Sequence, residues 1–460
     1  MHHPHPTANP PATPRAPHAP RREAALAART WPPVLAAAAL LLALAAAAWP
    51  VARAADPRPI DVRRLAAAGL RMVEGQHLRL VTDLPPSPAV DELPEVFDAA
   101  VPLWCEYFGV APAQLQRQKF LGFLVSDRQQ FAALGLLPAE RPDFPSGYAN
   151  GWEFWLAEQP SDYYRRHLLL HEGTHAFMHT QLGGAGAPWY MEGMAELLGA
   201  HSWHAGQLTL GVMPPNREST PMWGRIKLIR DAAAARQAWP LERVLAIDNS
   251  RLMGTDEYAW AWALAVLLEQ HPQFHERFAL LRSHAADPKF PQLFRAAFAP
   301  DWSDLQVEWQ ALTHTIDYGY DVPTMAMLHA ESAPVERATR RSKVAANRGW
   351  QSSGWTLRAG QRYQVTGRGR FQLVRDGETW PCEAGGVTIQ YHAGRPSGEL
   401  LGAWRYVDGG GATFDAPMSI GLEANVLPER DAVLYLRVND SPARAARNTG
   451  SLEVRIRAAD

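Results

Sequence analysis

An α+β domain followed by an all-β sandwich is the architecture this chain predicts, and three observations lead there. Between Gln76 and His175, short apolar runs with strand periodicity alternate with helical stretches. From Ile226 to about Asp317 the pattern is helical, with little strand signal. From Trp350 onward, short alternating runs are separated by glycine-rich turns. A chain of 460 residues accommodates two or three units, each able to bury a core. With 47% hydrophobic and 20% charged residues it reads as globular, and a net charge of −2 offers neither a basic face for nucleic acid nor an acidic one for a polyelectrolyte.

Residues 1–55 are set apart from the fold. Met1 to Arg29 is rich in Pro, His, Ala and Arg and predicts disorder. Val34 to Ala48 is an unbroken apolar run preceded by Arg21, Arg22 and Arg29, and Ala52-Arg53-Ala54 resembles a signal cleavage site. The run is short for a membrane span. It therefore predicts a cleaved export signal, with an uncleaved signal-anchor as the alternative and the only route to a membrane. Either way the rest of the chain is expected outside the cytoplasm, in the periplasm, the envelope or the medium.

Residues 56–325 form the expected catalytic unit. Gln76 to Leu84 reads as a strand, Ala89 to Phe108 as a helix and Phe120 to Val125 as a strand, with a short helix near Phe131. Trp152 to Ala157, aromatic-rich and preceded by Gly151, reads as the next strand, either an edge or a plain core strand. Cys105 falls on the apolar face of Phe97, Val101, Trp104 and Phe108 and reads as a buried thiol, although a pairing with Cys382 is allowed in an oxidising compartment.

The helix that follows carries the most informative residues. In LLLHEGTHAFMH, His171 and His175 stand one helical turn apart on one face, and Glu172 lies beside them. Two imidazoles so placed reach one zinc ion, and the acid can hold a water next to it. Zinc needs a third protein ligand. Gly183, Gly184, Gly186 and Pro188 mark a turn, after which a second helix, WYMEGMAE, presents Glu192 and, one turn on, Glu196. Sixteen residues separate His175 from Glu192. Glu192 is the candidate ligand and Glu196 the candidate partner that orients a ligand histidine.

HExxH followed by a WxxEGxAE-type helix resembles the gluzincin metallopeptidases, the group of thermolysin and aminopeptidase N. The resemblance implies a thermolysin-like fold, with His171, His175 and Glu192 as ligands, Glu172 as general base and Glu196 behind them. By residue count alone Glu196 is nearer the relatives' ligand spacing; the aromatic-x-x-Glu-Gly-x-Ala pattern aligns on Glu192. Residues 70–270 are most similar to a bacterial domain family of unknown function in the peptidase MA-like superfamily, carried by DYYRRHLLLHEGTHAFMH and GAPWYMEGMAELLGAHSW. Related gluzincins place a Tyr or His from a later helix near the oxyanion. Tyr258, in the apolar stretch DEYAWAWALAVLLEQ, is the candidate, with simple core packing as the alternative. His179, His201 and His204 compete as ligands, and His201 and His204 read either as lining the cleft or as ordinary surface or hydrogen-bonded residues.

Residues 326–348, with Glu336, Arg337, Arg340, Arg341 and Lys343 and few large apolar side chains, read as a solvated linker. Residues 349–460 read as the sandwich, with alternating runs at Tyr363/Val365, Phe371/Leu373, Val387/Ile389/Tyr391, Val433/Tyr435 and Leu452/Val454/Ile456. LYLRVNDSPARAARNTGSLEVRI resembles the C-terminal part of the PA-I-like galactophilic lectins, a jelly-roll family. That resemblance implies a calcium and sugar loop, onto which Asp440 and Asn448 align. Arg447 stands where the lectins have another Asn, which argues against calcium and for a loop held by its own hydrogen bonds.

Together these readings predict an exported zinc peptidase with a peptide or protein substrate and a lectin-like sandwich that meets carbohydrate or packs on its neighbour. A non-catalytic envelope binding protein that uses the sandwich is the alternative, and a zinc hydrolase of some non-peptide bond is a third.

Overall fold

The computed structural model describes residues 56–460 apart from 116–117, 185, 249–252, 337, 409–410 and 460. The export signal or anchor expected within 1–55 lies outside the described residues. Among the described residues no helix is long and apolar enough to cross a membrane.

The first layer is a five-stranded mixed sheet. Its strands are β1 (Arg71–Glu74), β2 (Leu78–Thr82), β3 (Phe120–Val125), β4 (Gly147–Asn150) and β5 (Glu153–Ala157), in the order β1-β2-β3-β5-β4. β2, β3 and β5 run parallel, and β1 and β4 are antiparallel edges. β3, FLGFLV, is buried along its whole length, as a central parallel strand covered on both faces requires. On one face Leu80, Phe120, Leu124 and Phe154 meet helix α1 (Leu93–Phe108) and helix α2 (Asp162–Phe177). On the other, Val81, Phe123 and Trp155 close over Phe131 and Phe144.

This order decides between the two readings of Trp152–Ala157 in favour of the core strand. β5 is flanked by β3 and β4, and the free edge on that side belongs to β4. GYAN follows a proline-rich stretch and lacks a run of large apolar residues, so it carries no strand signal of its own. It is recruited by pairing with β5, Tyr148 opposite Trp155.

The Ser161 hydroxyl caps α2 by accepting from the Tyr164 backbone N–H at 3.3 Å. Gly173 lets α2 pack closely on α1: a Cβ there would lie 2.8 Å from both Phe97 and Trp104. α2 runs on through a π-helical turn, Met178–Leu182, and stops at Gly183, whose φ of 80° is left-handed. Helix α3 (Pro188–Gly199) then starts with Pro188 in its first turn. His175 faces Glu192 while His167 faces Glu196, so the two helices are antiparallel.

Beyond them the chain is helical. α4 (Arg225–Ala234) and α3 both pack against α5 (Thr255–Gln270), which is buried from Ala259 to Leu268. Gly193 on α3 approaches so closely that a Cβ would lie 2.7 Å from the Ala261 carbonyl oxygen of α5. α6 (Trp302–Thr315) completes this half.

Two sheets follow. One is seven-stranded, built around Arg395–Asp408, Ala432–Val438 and Gln351–Leu357; the other is six-stranded, built around Phe371–Arg375, Thr449–Ala458 and Tyr363–Arg368. Leu400, Leu434 and Leu436 from the first share one core with Val365, Leu373, Leu452 and Val454 from the second. Residues 326–348 are not a free linker. Arg340–Ala345 is a strand paired antiparallel with Thr449–Ala458, and Ala333–Pro334 pairs with Gln351–Leu357; Arg337 lies outside the described residues. Arg341 and Lys343 point outward, Arg340 is half-buried over the Trp355 ring, and Val344 reaches the core and seats the strand. Of the alternating run at Val387, Ile389 and Tyr391, the last two face solvent, 80% and 58% exposed.

The seven-stranded sheet is buried on its outer face too. Val307 and Ala311 of α6 pack on Leu401, Ala403, Phe414 and Tyr435. Gln310 receives the Phe414 N–H at 2.8 Å, and Asp304 pairs with Arg405 at 2.6 Å. All described residues belong to one compact unit. Cys105 and Cys382 are both buried free thiols.

Candidate active site

The helical hairpin brings three ligand-type atoms together. The Nε2 atoms of His171 and His175 are 3.1 Å apart, and Glu192 Oε2 lies 3.2 Å from the second and 3.3 Å from the first. Tetrahedral ligands about 2.05 Å from one zinc ion are separated by about 3.3 Å, so this donor set and spacing fit zinc. All three residues are buried. Burial pushes the Glu192 carboxyl up, but the charge and hydrogen bonds of His175 and His171 outweigh it and bring it down to about 2. Glu192 is thus an anion, as a ligand must be.

Glu196 does a different job. Arg225 forks onto it, Nη2 to Oε1 at 2.9 Å and Nε to Oε2 at 3.0 Å, and Trp223 Nε1 donates to Oε2 at 3.2 Å. His171 Nδ1 lies 3.4 Å and His167 Nε2 3.5 Å from Oε1. Burial opposes its ionisation, but Arg225 and His167 hold it well below the usual carboxylate range. His167, His171 and Glu196 also form a cluster of ligand-type atoms. The Arg225 guanidinium already neutralises that carboxylate from two sides, so a second cation has no open donor there. Glu196 stands on the Nδ1 side of His171, 3.4 Å away, while Nε2 is turned toward Glu192.

Glu172 lies under strand β4. A Cβ on Gly147 would stand 2.2 Å from its Oε1, so the absence of a side chain there is what admits the carboxylate. Burial raises the Glu172 carboxyl above its ordinary value, against the opposing charges of His171 and His175. Tyr258 of α5 faces the same space, its ring centroid 5.8 Å from that of His171. Burial, then the charges of Glu192 and Glu172, push its hydroxyl far up, so it stays protonated and able to donate.

These residues line a cleft of about 750 Å³ that also takes in Ser146 to Gly151, His179, Met191 and Met253. Among the described residues the cleft therefore joins the His171, His175 and Glu192 cluster, Glu172, Tyr258 and the edge strand.

No family model matches this chain. No curated protein matches it. Among solved structures it is similar to the EclA N-terminal domain, a PllA-like lectin, at 17% identity and a TM-score of 0.20, covering 26% of this chain and 96% of that one. A TM-score of that size adds nothing to what the residues themselves say.

The remaining candidates separate cleanly. His201 is buried away from the cleft, its Nδ1 2.9 Å from the Gly199 carbonyl and its ring stacked on Tyr163. His204 is exposed at the end of a short strand. In the sandwich, Asp440 is 1% exposed and Arg375 forks onto it, Nη2 to Oδ1 at 2.8 Å and Nη1 to Oδ2 at 3.2 Å. Asn448 donates to Asp440 Oδ2 at 2.7 Å and accepts from the Val374 N–H at 3.1 Å. A guanidinium thus occupies the carboxylate that a calcium ion would need, and this loop does not fit calcium. Arg375, Arg225, His167 and β4 were missed from sequence. Only His167 left a trace there, as the first of four histidines spaced by four.

Proposed function

We propose that this chain is a zinc-dependent peptidase of gluzincin type, acting outside the cytoplasm after export by its N-terminal segment. The observation that carries the reading is the convergence of His171, His175 and Glu192 at zinc spacing, with Glu172 beside them in a cleft bounded by an edge strand. Zinc held by these three groups would supply Lewis acidity. Glu172 takes the proton of the attacking water and passes it to the leaving amine; a carboxyl raised by burial suits both halves of that task. Tyr258, protonated at the cleft wall, donates to the oxyanion that develops on the carbonyl. Glu196, locked by Arg225, orients His171. β4 ends the sheet and lines the cleft, so a peptide added to it as a further strand would pass Glu172.

Metal analysis together with mass spectrometry of a peptide library tests this. The expected result is one zinc per chain, lost in Glu192→Ala and largely kept in Glu196→Ala, with cleavage abolished in Glu172→Gln. Zinc without cleavage of any peptide would redirect the chemistry to another bond. A folded protein that takes up no zinc would remove the enzyme reading in favour of a binding protein.

A further inference from the structure

A second cavity of about 490 Å³ opens where the ends of α4 and α6 meet the outer face of the seven-stranded sheet. Arg437 lines it and is 3% exposed. Its Nη2 donates to the Asp440 carbonyl oxygen at 3.2 Å, while Nε and Nη1 have no hydrogen-bond partner. Trp350 offers a ring centroid 5.3 Å away but no negative charge. The contrast with the other buried guanidiniums is plain: Arg165, Arg225 and Arg375 each fork onto a carboxylate.

Arg395 stands on the same cavity wall, bonded to the Pro417 carbonyl at 2.7 Å and the Ser419 hydroxyl at 3.2 Å. Among the described residues neither Arg395 nor Arg437 has a carboxylate in ion-pair range; the Asp440 charge, already forked by Arg375, favours the Arg437 cation from further off, and the Arg395 charge opposes it. The acid on the wall, Asp317, is already paired with Arg230 at 2.7 Å. Asn439 pins the turn that carries Arg395 through its side-chain amide, which donates to the carbonyls of His392, Arg395 and Pro396 at 2.9 to 3.2 Å. The two cations are thus held in place without a directly paired carboxylate, a costly arrangement unless an anion completes it. Leu401, Ile316 and Pro417 add apolar wall beside them.

We propose that this cavity is a binding site for a small oxyanion, a carboxylate or a phosphate, recognised by Arg437 and Arg395. It is separate from the zinc-type cleft and does not depend on the peptidase reading. Thermal unfolding of the full chain tests it, with chelator present and ionic strength held constant by sodium chloride, against inorganic phosphate in one arm and succinate in the other. The expected result is a saturable rise in Tm with at least one of them, abolished in Arg437→Met and at least halved in Arg395→Gln, and unchanged in Glu172→Gln. The arm that responds identifies the anion class. Arg395 is only half-buried, so its variant reports on the site even if Arg437→Met fails to fold. No rise above the chloride control in either arm, or a full rise in Arg395→Gln, would overturn the proposal.

Discussion

Gly147→Ala probes the proposed catalytic geometry without touching a proposed metal ligand. The new Cβ would lie 2.2 Å from Glu172 Oε1, 2.6 Å from Cδ and 2.7 Å from Cγ. Ordinary contact begins near 3.4 Å, so the carboxylate must retreat by about 1 Å or β4 must lift away from α2. Overpacking of this kind costs about 1–3 kcal/mol of stability. A displacement of about 1 Å in a reacting group costs on the order of 10²-fold in rate, or about 2.7 kcal/mol of barrier. His171, His175 and Glu192 are not displaced, so zinc stoichiometry is expected to stay at the wild-type value. The assay is turnover of the best library peptide, read beside Tm and metal content. A variant that folds, holds its zinc and cleaves within about threefold of wild type would refute the assignment of Glu172, in this position, as the base.

Further outcomes follow from the same contacts. Tyr258→Phe is expected to lower kcat by about 10²-fold with KM little changed, as for loss of one oxyanion donor; a change in KM alone would reduce Tyr258 to a packing residue. Arg225→Met leaves Glu196 buried without its counter-charge and is expected to cost about 3–5 kcal/mol in denaturant unfolding, with Glu196→Gln in the same chain restoring part of it. His201 is held by burial at about 3, below its ordinary 6.5, so the unfolded chain binds its proton more readily and stability falls as pH drops from about 6.5 toward 3. The loss attributable to it by about pH 5 is about 2 kcal/mol, and His201→Gln should flatten that limb of the pH–stability curve. Calcium should leave the Tm unchanged, because Arg375 already neutralises Asp440; a calcium-dependent rise lost in Asp440→Asn would contradict the loop geometry.

The line between what could be read and what could not runs through particular residues. β3 was legible because FLGFLV is apolar without interruption, and α2 because LLLHEGTH sets two histidines one helical turn apart beside an apolar run. β4 was illegible because GYAN has no apolar run and becomes a strand only by pairing with β5. The strand Arg340–Ala345 was masked by its charges: Arg341 and Lys343 face solvent, and Val344 alone is buried. Tyr435 alternates correctly, yet it faces α6 and not the sandwich core, since the sheet it sits on is covered on both sides.

Short-range periodicity is a property of neighbours in sequence, and it was enough to place His171, His175 and Glu172 on one helix and Glu192 and Glu196 on the next. Which carboxylate meets the two histidines, which is taken by Arg225, and which strand closes the cleft depend on partners such as Arg225 and Gly147, each more than twenty residues from the group it governs. Those pairings depend on how whole elements pack, and only the tertiary structure decided them.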